Sequence, residues 1–294
     1  MWMARNDRVG RRGSAAGHTL NDALEMDVAF WWKLGLSFLV GSGWVALSTV
    51  AADSFGSMIG GLIGGLPSTV VVSLLFIGFT QTPQVAAETT TLMPLTQGIN
   101  GIFIIVYLVL VRRGLAAGLG GALGVWGMLA GSVAAINVHH LWVSLLGWAL
   151  CSASCAWVVR RIMKIPSREA LRVRCTPSQI GGRALFGGTV IAVAVWMGKL
   201  LGPAYGGIFA AFPAAFFSTL AITYRTGGAD FSRAVGKTML LSGMVNVALY
   251  AIAVRYLYPC CGLLYGTLLS LVVACVAGYV TYLCMRTPSV SHAA

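Results

Sequence analysis

Hydrophobic positions along this chain fall in long unbroken runs, with polar residues gathered between them. There is neither the strict alternation of a half-buried strand nor the single apolar stripe of a soluble helix. Nine runs stand out, at 29–51, 57–80, 91–111, 114–135, 138–158, 182–201, 204–224, 236–258 and 261–284. Each is about 20 residues long, the length a helix needs to cross ~30 Å of hydrocarbon. The pattern predicts an all-α polytopic membrane protein with nine transmembrane helices. A polar tail at 1–28 precedes the first run, a basic loop at 159–181 separates the fifth from the sixth, and 285–294 form a C-terminal tail. The composition of residues 1–25 predicts disorder rather than a cleavable signal, and Met26 is a candidate start on position alone.

The runs are related to one another. Slid against itself by 146 positions, the chain places Gly60 and Gly61 on Gly206 and Gly207, Pro67 on Pro213, and Asn100 on Asn246. Gly41 meets Gly187, Leu74 meets Leu220, Thr80 meets Thr226 and Met93 meets Met239 in the same register. With two further residues, Gly114-Leu115-x-x-Gly118 meets Gly262-Leu263-x-x-Gly266. Rare residues in register, Pro and Asn above all, distinguish this from chance matching of apolar sequence. Spans 1–4 (29–135) thus correspond to spans 6–9 (182–284). Five spans separate each pair, an odd number, so the second copy crosses the membrane upside down relative to the first. Span 5 (138–158) is the connector. The expected architecture is two inverted four-helix repeats joined by one helix, a plan that secondary transporters use.

The matched stretches GGLIGGLPST (Gly60–Thr69) and GGIFAAFPAA (Gly206–Ala215) set each proline about ten residues into its span. A proline inside a helix removes one hydrogen bond and clashes with the carbonyl four residues back. The released carbonyls must find protein, water or ligand, since lipid offers no donor. Inverted-repeat transporters hold solute at such breaks near mid-depth. Gly60, Gly61, Pro67, Ser68, Thr69, Gly206, Gly207 and Pro213 are therefore candidate substrate-binding and gating residues. The competing reading is close helix packing through Gly-x-x-x-Gly. Asn100 and Asn246, each midway along an apolar span, must face the protein interior. They bind solute or bond a neighbouring helix. Between the spans, TQTPQVAAETTT carries Glu88, a candidate coupling residue if it enters the membrane. The matching TYRTGGADFSRAVGK carries Arg225, Asp230, Arg233 and Lys237.

Composition sharpens the class. Only 10% of the 294 residues are charged against 57% hydrophobic, too few charges to cover a soluble surface. The 20 Lys and Arg exceed 8 Asp and Glu. That excess suits cytoplasmic loops beside anionic lipid, and no aromatic-basic pattern points to nucleic acid. With nine spans, 13 of the 20 basic residues fall on the side holding the C-terminus and 7 on the other. The positive-inside rule therefore predicts a cytoplasmic C-terminus and an N-terminus outside, in a cytoplasmic (inner) membrane. Arg5, Arg8, Arg11 and Arg12 run against this orientation.

The remaining chemistry is sparse. The seven cysteines lack zinc spacing. Cys151 and Cys155 sit at i, i+4, and the adjacent Cys260 and Cys261 are a candidate disulfide. His139-His140 has no acidic or thiol partner near it in sequence, so no metal and no cofactor are expected. No HExxH, GxSxG, Walker loop or intramembrane carboxylate pair is present, so the protein is not read as an enzyme or an ATP-driven pump.

The stretch from Gly206 to Tyr256, with its Gly-x-x-x-x-Phe-Pro helix, polar loop and following apolar helix, resembles GlpM-like membrane proteins of about four spans. The whole chain resembles the longer, duplicated relatives of that group. Its layout is also similar to the drug/metabolite transporter superfamily. It lacks the acidic residue that small multidrug exporters carry in mid span 1. The expected function is secondary transport of a small solute, with the lipid bilayer and that solute as partners and a homo-oligomer compatible with the sequence. The alternative is a non-transport scaffold or regulatory partner of an envelope enzyme.

Overall fold

The computed structural model describes residues 28–54, 67–136, 138–163, 165 and 175–286. Residues 1–27 and 287–294 of the tails, Gly60, Gly61, and 164 and 166–174 of the basic loop lie outside these residues. Every regular element described is helical: α1 (Val28–Ser54), α2 (Ser68–Thr80), α3 (Pro83–Thr89), α4 (Met93–Leu110), α5 (Leu115–Ile136), α6 (Leu141–Trp157), α7 (Pro177–Leu200), α8 (Pro203–Ala210) and α9 (Ala214–Arg286). Among the described residues six helical runs are long and apolar enough to cross a membrane.

Local chemistry explains where the helices start and stop. Thr82 caps α3 through its side chain, with Pro83 at the first helical position. A capping box of Thr176 and Gln179 starts α7 at Pro177, five residues before the apolar run at 182 begins. After Trp157 the chain continues as a π-helical turn, Val158–Met163.

The last helix is continuous only in name. At 1.5 Å per residue its 73 residues would reach about 110 Å, several membrane thicknesses. Gly228 and Gly262 break it, with φ of 75° and 73° in the left-handed region that favours glycine. The polar stretch from Tyr224 to Lys237, expected as a loop, is helical on both sides of Gly228. Its side chains are clasped onto α4. Arg233 is buried and its Nε donates to the Leu108 carbonyl (3.0 Å), while the Tyr107 hydroxyl shares a 2.7 Å hydrogen bond with Ser232. Hydrogen bonding to α4 supplies what solvent would have given a loop.

Helix α4 is the centre of the molecule. Over its most apolar stretch 67% of residues are buried, against 22% for α1 and α5 and 17% for α6. Phe103, Ile104, Tyr107 and Leu108 are fully enclosed. The periphery is apolar: Trp32, Met128, Trp142 and Leu264 are each more than 70% exposed. A surface of this kind is stable against lipid, not water, as expected for an integral membrane protein.

Helices α1 and α7 pack closely because each offers glycine at the crossing. A Cβ on Gly41 would strike the Ile191 side chain, and one on Gly187 would lie 2.8 Å from Val45. A Cβ on Gly188 would lie 2.8 Å from the Phe38 carbonyl oxygen and would strike the Ser42 hydroxyl. Small residues let backbones approach and so gain dispersion contacts where no hydrophobic driving force separates helix from lipid.

Candidate functional site

Pro213 interrupts a helix in the structure. α8 ends at Ala210, Phe212 and Pro213 are non-helical, and α9 starts at Ala214. The last turn tightens, with Phe212 N–H donating to the Phe209 carbonyl (3.1 Å). The next helix begins its ladder with Phe217 N–H to Pro213 C=O (2.8 Å). The Ala211 carbonyl, which an unbroken helix would pair with residue 215, is released. Asn100 takes it: its Nδ2 donates to Ala211 C=O at 2.9 Å.

That bond belongs to a network. The Asn100 Nδ2 also donates to Gln97 Oε1 (2.9 Å), and Trp126 Nε1 donates to Asn100 Oδ1 (2.8 Å). Gln97 Nε2 reaches the Gly243 carbonyl (3.1 Å). Trp126 and Phe212 meet edge to face at 5.0 Å. Asn100 is only 2% exposed, and its amide is engaged at both ends by protein. Its hydrogen bonds tie α4 to the break at Ala211 and to α5. Asn246 is buried.

Pro67 stands at the start of α2 with φ −74° and ψ 57°, so a helix also begins directly after the first proline. Gly206 and Gly207 serve close approach. A Cβ on Gly206 would lie 2.9 Å from the Gly198 Cα, and one on Gly207 would strike the Thr89 carbonyl.

Beside the two prolines lies a cavity of about 290 Å³. Its walls come from α1 (Ser48, Thr49, Asp53), the first residues of α2 (Ser68, Thr69), α7 (Arg183, Phe186) and α9 after the break (Ala214, Ala215, Phe216, Ser218, Thr219). Of the residues expected at the site, Ser68 and Thr69 line it, and Pro67 and Pro213 adjoin its lining residues in sequence. Asn100, Asn246, Gly206 and Gly207 are not among its lining residues. The hydroxyls differ in what they have left to give. Ser48 and Thr49 donate to the Val45 carbonyl (3.0 and 2.7 Å), and Ser218 donates to Ala215 C=O (3.2 Å). Ser68, Thr69 and Thr219 make no side-chain hydrogen bond among the described residues.

Two charged groups face this cavity. The Asp53 Oδ2 accepts the Cys175 backbone N–H at 3.0 Å. Arg183 Nε is buried without a hydrogen-bond partner among the described residues. The Cys175 thiol beside them is pushed up, first by burial and then by the Asp53 charge, with Arg183 opposing. The sequence reading passed over Asp53, Arg183 and the two adjacent hydroxyl pairs. A signal was present: Ser48-Thr49 and Ser218-Thr219 are paired hydroxyls inside apolar spans, and Asp53 follows Thr49 by one helical turn.

Glu88 lies elsewhere. It is exposed, at the rim of a separate, wider cavity with His139, Tyr205 and Arg255. Arg255 Nη1 donates to Thr91 Oγ1 (2.8 Å) and Ala87 C=O (3.2 Å), which fastens α9 to the α3 corner. Cys260 and Cys261 are free thiols.

No curated protein and no solved structure matches the chain. Residues 183–287 match a family model described as "Protein of unknown function (DUF3147)", so the chain from Arg183 onward is similar to that family.

Proposed function

We propose that the protein is a secondary transporter that moves a small solute by alternating access between two inverted four-span halves. The observation that carries this reading is an asymmetry between matched residues. The cavity wall at Ser48, Ala52, Phe216, Ser218 and Thr219 is accessible. The counterparts 146 positions away, Ala194, Gly198, Val70, Val72 and Ser73, are all buried. Residues of both halves line the open cavity, while these counterparts, again from both halves, are packed shut. Exchanging the two conformations would close this cavity and open its counterpart on the other side.

Several contacts support the two-fold relation behind that exchange. Gly41 meets Ile191 and Gly187 meets Val45, a pair of contacts that the 146-residue shift interchanges. Gln97 bonds Gly243, its own counterpart. Thr80 bonds back to Phe76 (2.8 Å) as Thr226 does to Ile222 (2.9 Å), again in register. Gly114 and Gly262 each turn the chain with positive φ. In this reading the chain from Pro203 divides at Gly228 and Gly262 into three spans, the first containing the Pro213 break, and with α2 and the five other long helices these make nine. The family match at 183–287 is nearly coextensive with the second repeat, 182–284. In this reading the GlpM-like unit is the single repeat, the likeness to the drug/metabolite transporter superfamily is one of layout, and the membrane is a cytoplasmic one with the cavity facing the cytoplasm.

The test is two-sided thiol accessibility. Thr219→Cys is expected to react with an impermeant maleimide from the cytoplasmic face. Ala194→Cys is expected to react from outside, about 10- to 1,000-fold more slowly if the outward-open state is a minor one. An Ala194→Cys protein that folds and stays inert from outside, while Thr219→Cys reacts from inside, refutes alternating access. A scaffold would give that result.

A further inference from the structure

We propose that this cavity binds a small monoanion, a carboxylate with a short apolar body, its charged end seated where the helices after Pro67 and Pro213 begin. The proposal rests on the cavity being the transport site and adds the class of solute. Helix α2 starts at Ser68 and the second half-helix at Ala214, and the first residues of both line the cavity. The opening N–H groups of a helix have no acceptor within it, and its dipole places about half a positive charge there. Residues of two such ends line one space, the Ala214 N–H itself donating to the Phe212 carbonyl (2.7 Å). Within it Thr69 is only 8% exposed, lines the cavity, and its hydroxyl has no hydrogen-bond partner among the described residues. Arg183 adds a full positive charge from α7; its Nε has no partner among the described residues, and its side chain also reaches the Cys175 thiol. Asp53 is the opposing charge. It is exposed, and the Cys175 N–H already holds one of its oxygens.

The charge count selects the ligand. Two helix ends and one guanidinium against one carboxylate leave about one positive charge, which a monoanion balances and a dianion overfills. Phe186, Phe216 and Met239 supply apolar wall for the rest of the molecule. At about 290 Å³ the space lies at the small end of ligand cavities and suits a short metabolite rather than a drug-sized compound.

The experiment labels Thr69→Cys in the full-length chain, in vesicles with the cytoplasmic face outward, and quantifies modification of that peptide by mass spectrometry. Anionic (sulfonatoethyl) and cationic (trimethylammonioethyl) methanethiosulfonates are compared, each corrected for its rate with a free thiol. The anionic reagent is expected to react about tenfold or more faster, the low end of electrostatic focusing in a charged cleft. Arg183→Gln is expected to remove most of that preference. Sodium butyrate should protect the thiol, sodium phosphate at pH 8 should protect less, and choline chloride not at all, at equal ionic strength. Equal or faster reaction of the cationic reagent, or no protection by butyrate, overturns the proposal, and stronger protection by phosphate overturns the carboxylate assignment. If Thr69→Cys does not fold, Ser68→Cys reads the same site. The label enters from one side only, so this preference is measured whether or not the cavity ever opens outward. Failure of alternating access appears at Ala194→Cys instead.

Discussion

Asn100→Leu replaces one side chain in the middle of α4 with one of the same branching and the same number of heavy atoms, so no cavity is left and the loss is chiefly of hydrogen bonds. Three are lost: to Ala211 C=O, to Gln97 Oε1 and from Trp126 Nε1, at 2.9, 2.9 and 2.8 Å. All three partner residues are buried, at 2%, 2% and 6% exposure, and no solvent replaces Asn100. Side-chain hydrogen bonds inside membrane proteins average about 0.6 kcal/mol with a maximum near 1.7. Three give a destabilisation of about 2–5 kcal/mol, a large share of the ~5–15 kcal/mol that typically separates folded from unfolded protein. Trp126→Phe deletes one of the three and is expected to cost about 1 kcal/mol beyond its packing loss. The double variant should cost less than the sum of the singles, by about the value of the shared bond. The measurement is unfolding in detergent followed by circular dichroism, with denaturant midpoints and slopes compared for parent, both singles and the double. An Asn100→Leu protein within ~0.5 kcal/mol of the parent, or strict additivity with Trp126→Phe, would refute the network and with it the account of how the break is held.

Four further outcomes are expected. Pro213→Ala by itself leaves the helix broken, because Asn100 still binds the Ala211 carbonyl; solute flux then survives in the single variant and is lost when Asn100→Leu is added, which a flux assay with folded protein quantified will check. Gly188→Ala forces a methyl against the Phe38 carbonyl and is expected to cost about 1–3 kcal/mol, whereas Gly43→Ala meets open space and is expected to be neutral or slightly stabilising, read as paired unfolding midpoints. The Cys175 thiol ionises above the ordinary range of a free cysteine, so its alkylation by iodoacetamide rises at higher pH than that of a free thiol; Asp53→Asn moves the profile down and Arg183→Gln moves it up, opposite to what a purely steric effect would give. A reporter that fluoresces only in the cytoplasm is expected to be bright on the C-terminus and dark on the N-terminus, and an inserted but dark C-terminal fusion overturns the charge argument.

The apolar runs were legible because a membrane helix must satisfy every backbone group internally and show lipid an apolar face all round. About 20 apolar residues in a row therefore read as a helix without reference to neighbours, and α1, α4, α5, α6 and α7 lie within or close to those runs. Pro213 was legible for a similar reason: its missing N–H and fixed ring act within one turn, and the structure breaks there. Polar sequence misled in one place. Tyr224–Lys237 reads as a loop, yet helix continues on both sides of Gly228, since Ser232 and Arg233 find partners on α4 that no local pattern announces.

What the chain decides locally and what it decides only by folding divide along that line. Helix existence, the break at Pro213 and the lipid-facing composition follow from sequence alone, because each rests on forces that act within a turn or against a uniform solvent. Asn100 marked itself as buried, but its service to the Ala211 carbonyl depends on a residue 111 positions away. Asp53 and Arg183 look like ordinary charges at helix ends. Only the crossing of α1 and α7 at Gly41 and Gly187 brings them to one cavity, because coulombic and hydrogen-bond energies depend on separation in space, and separation along the chain does not encode it.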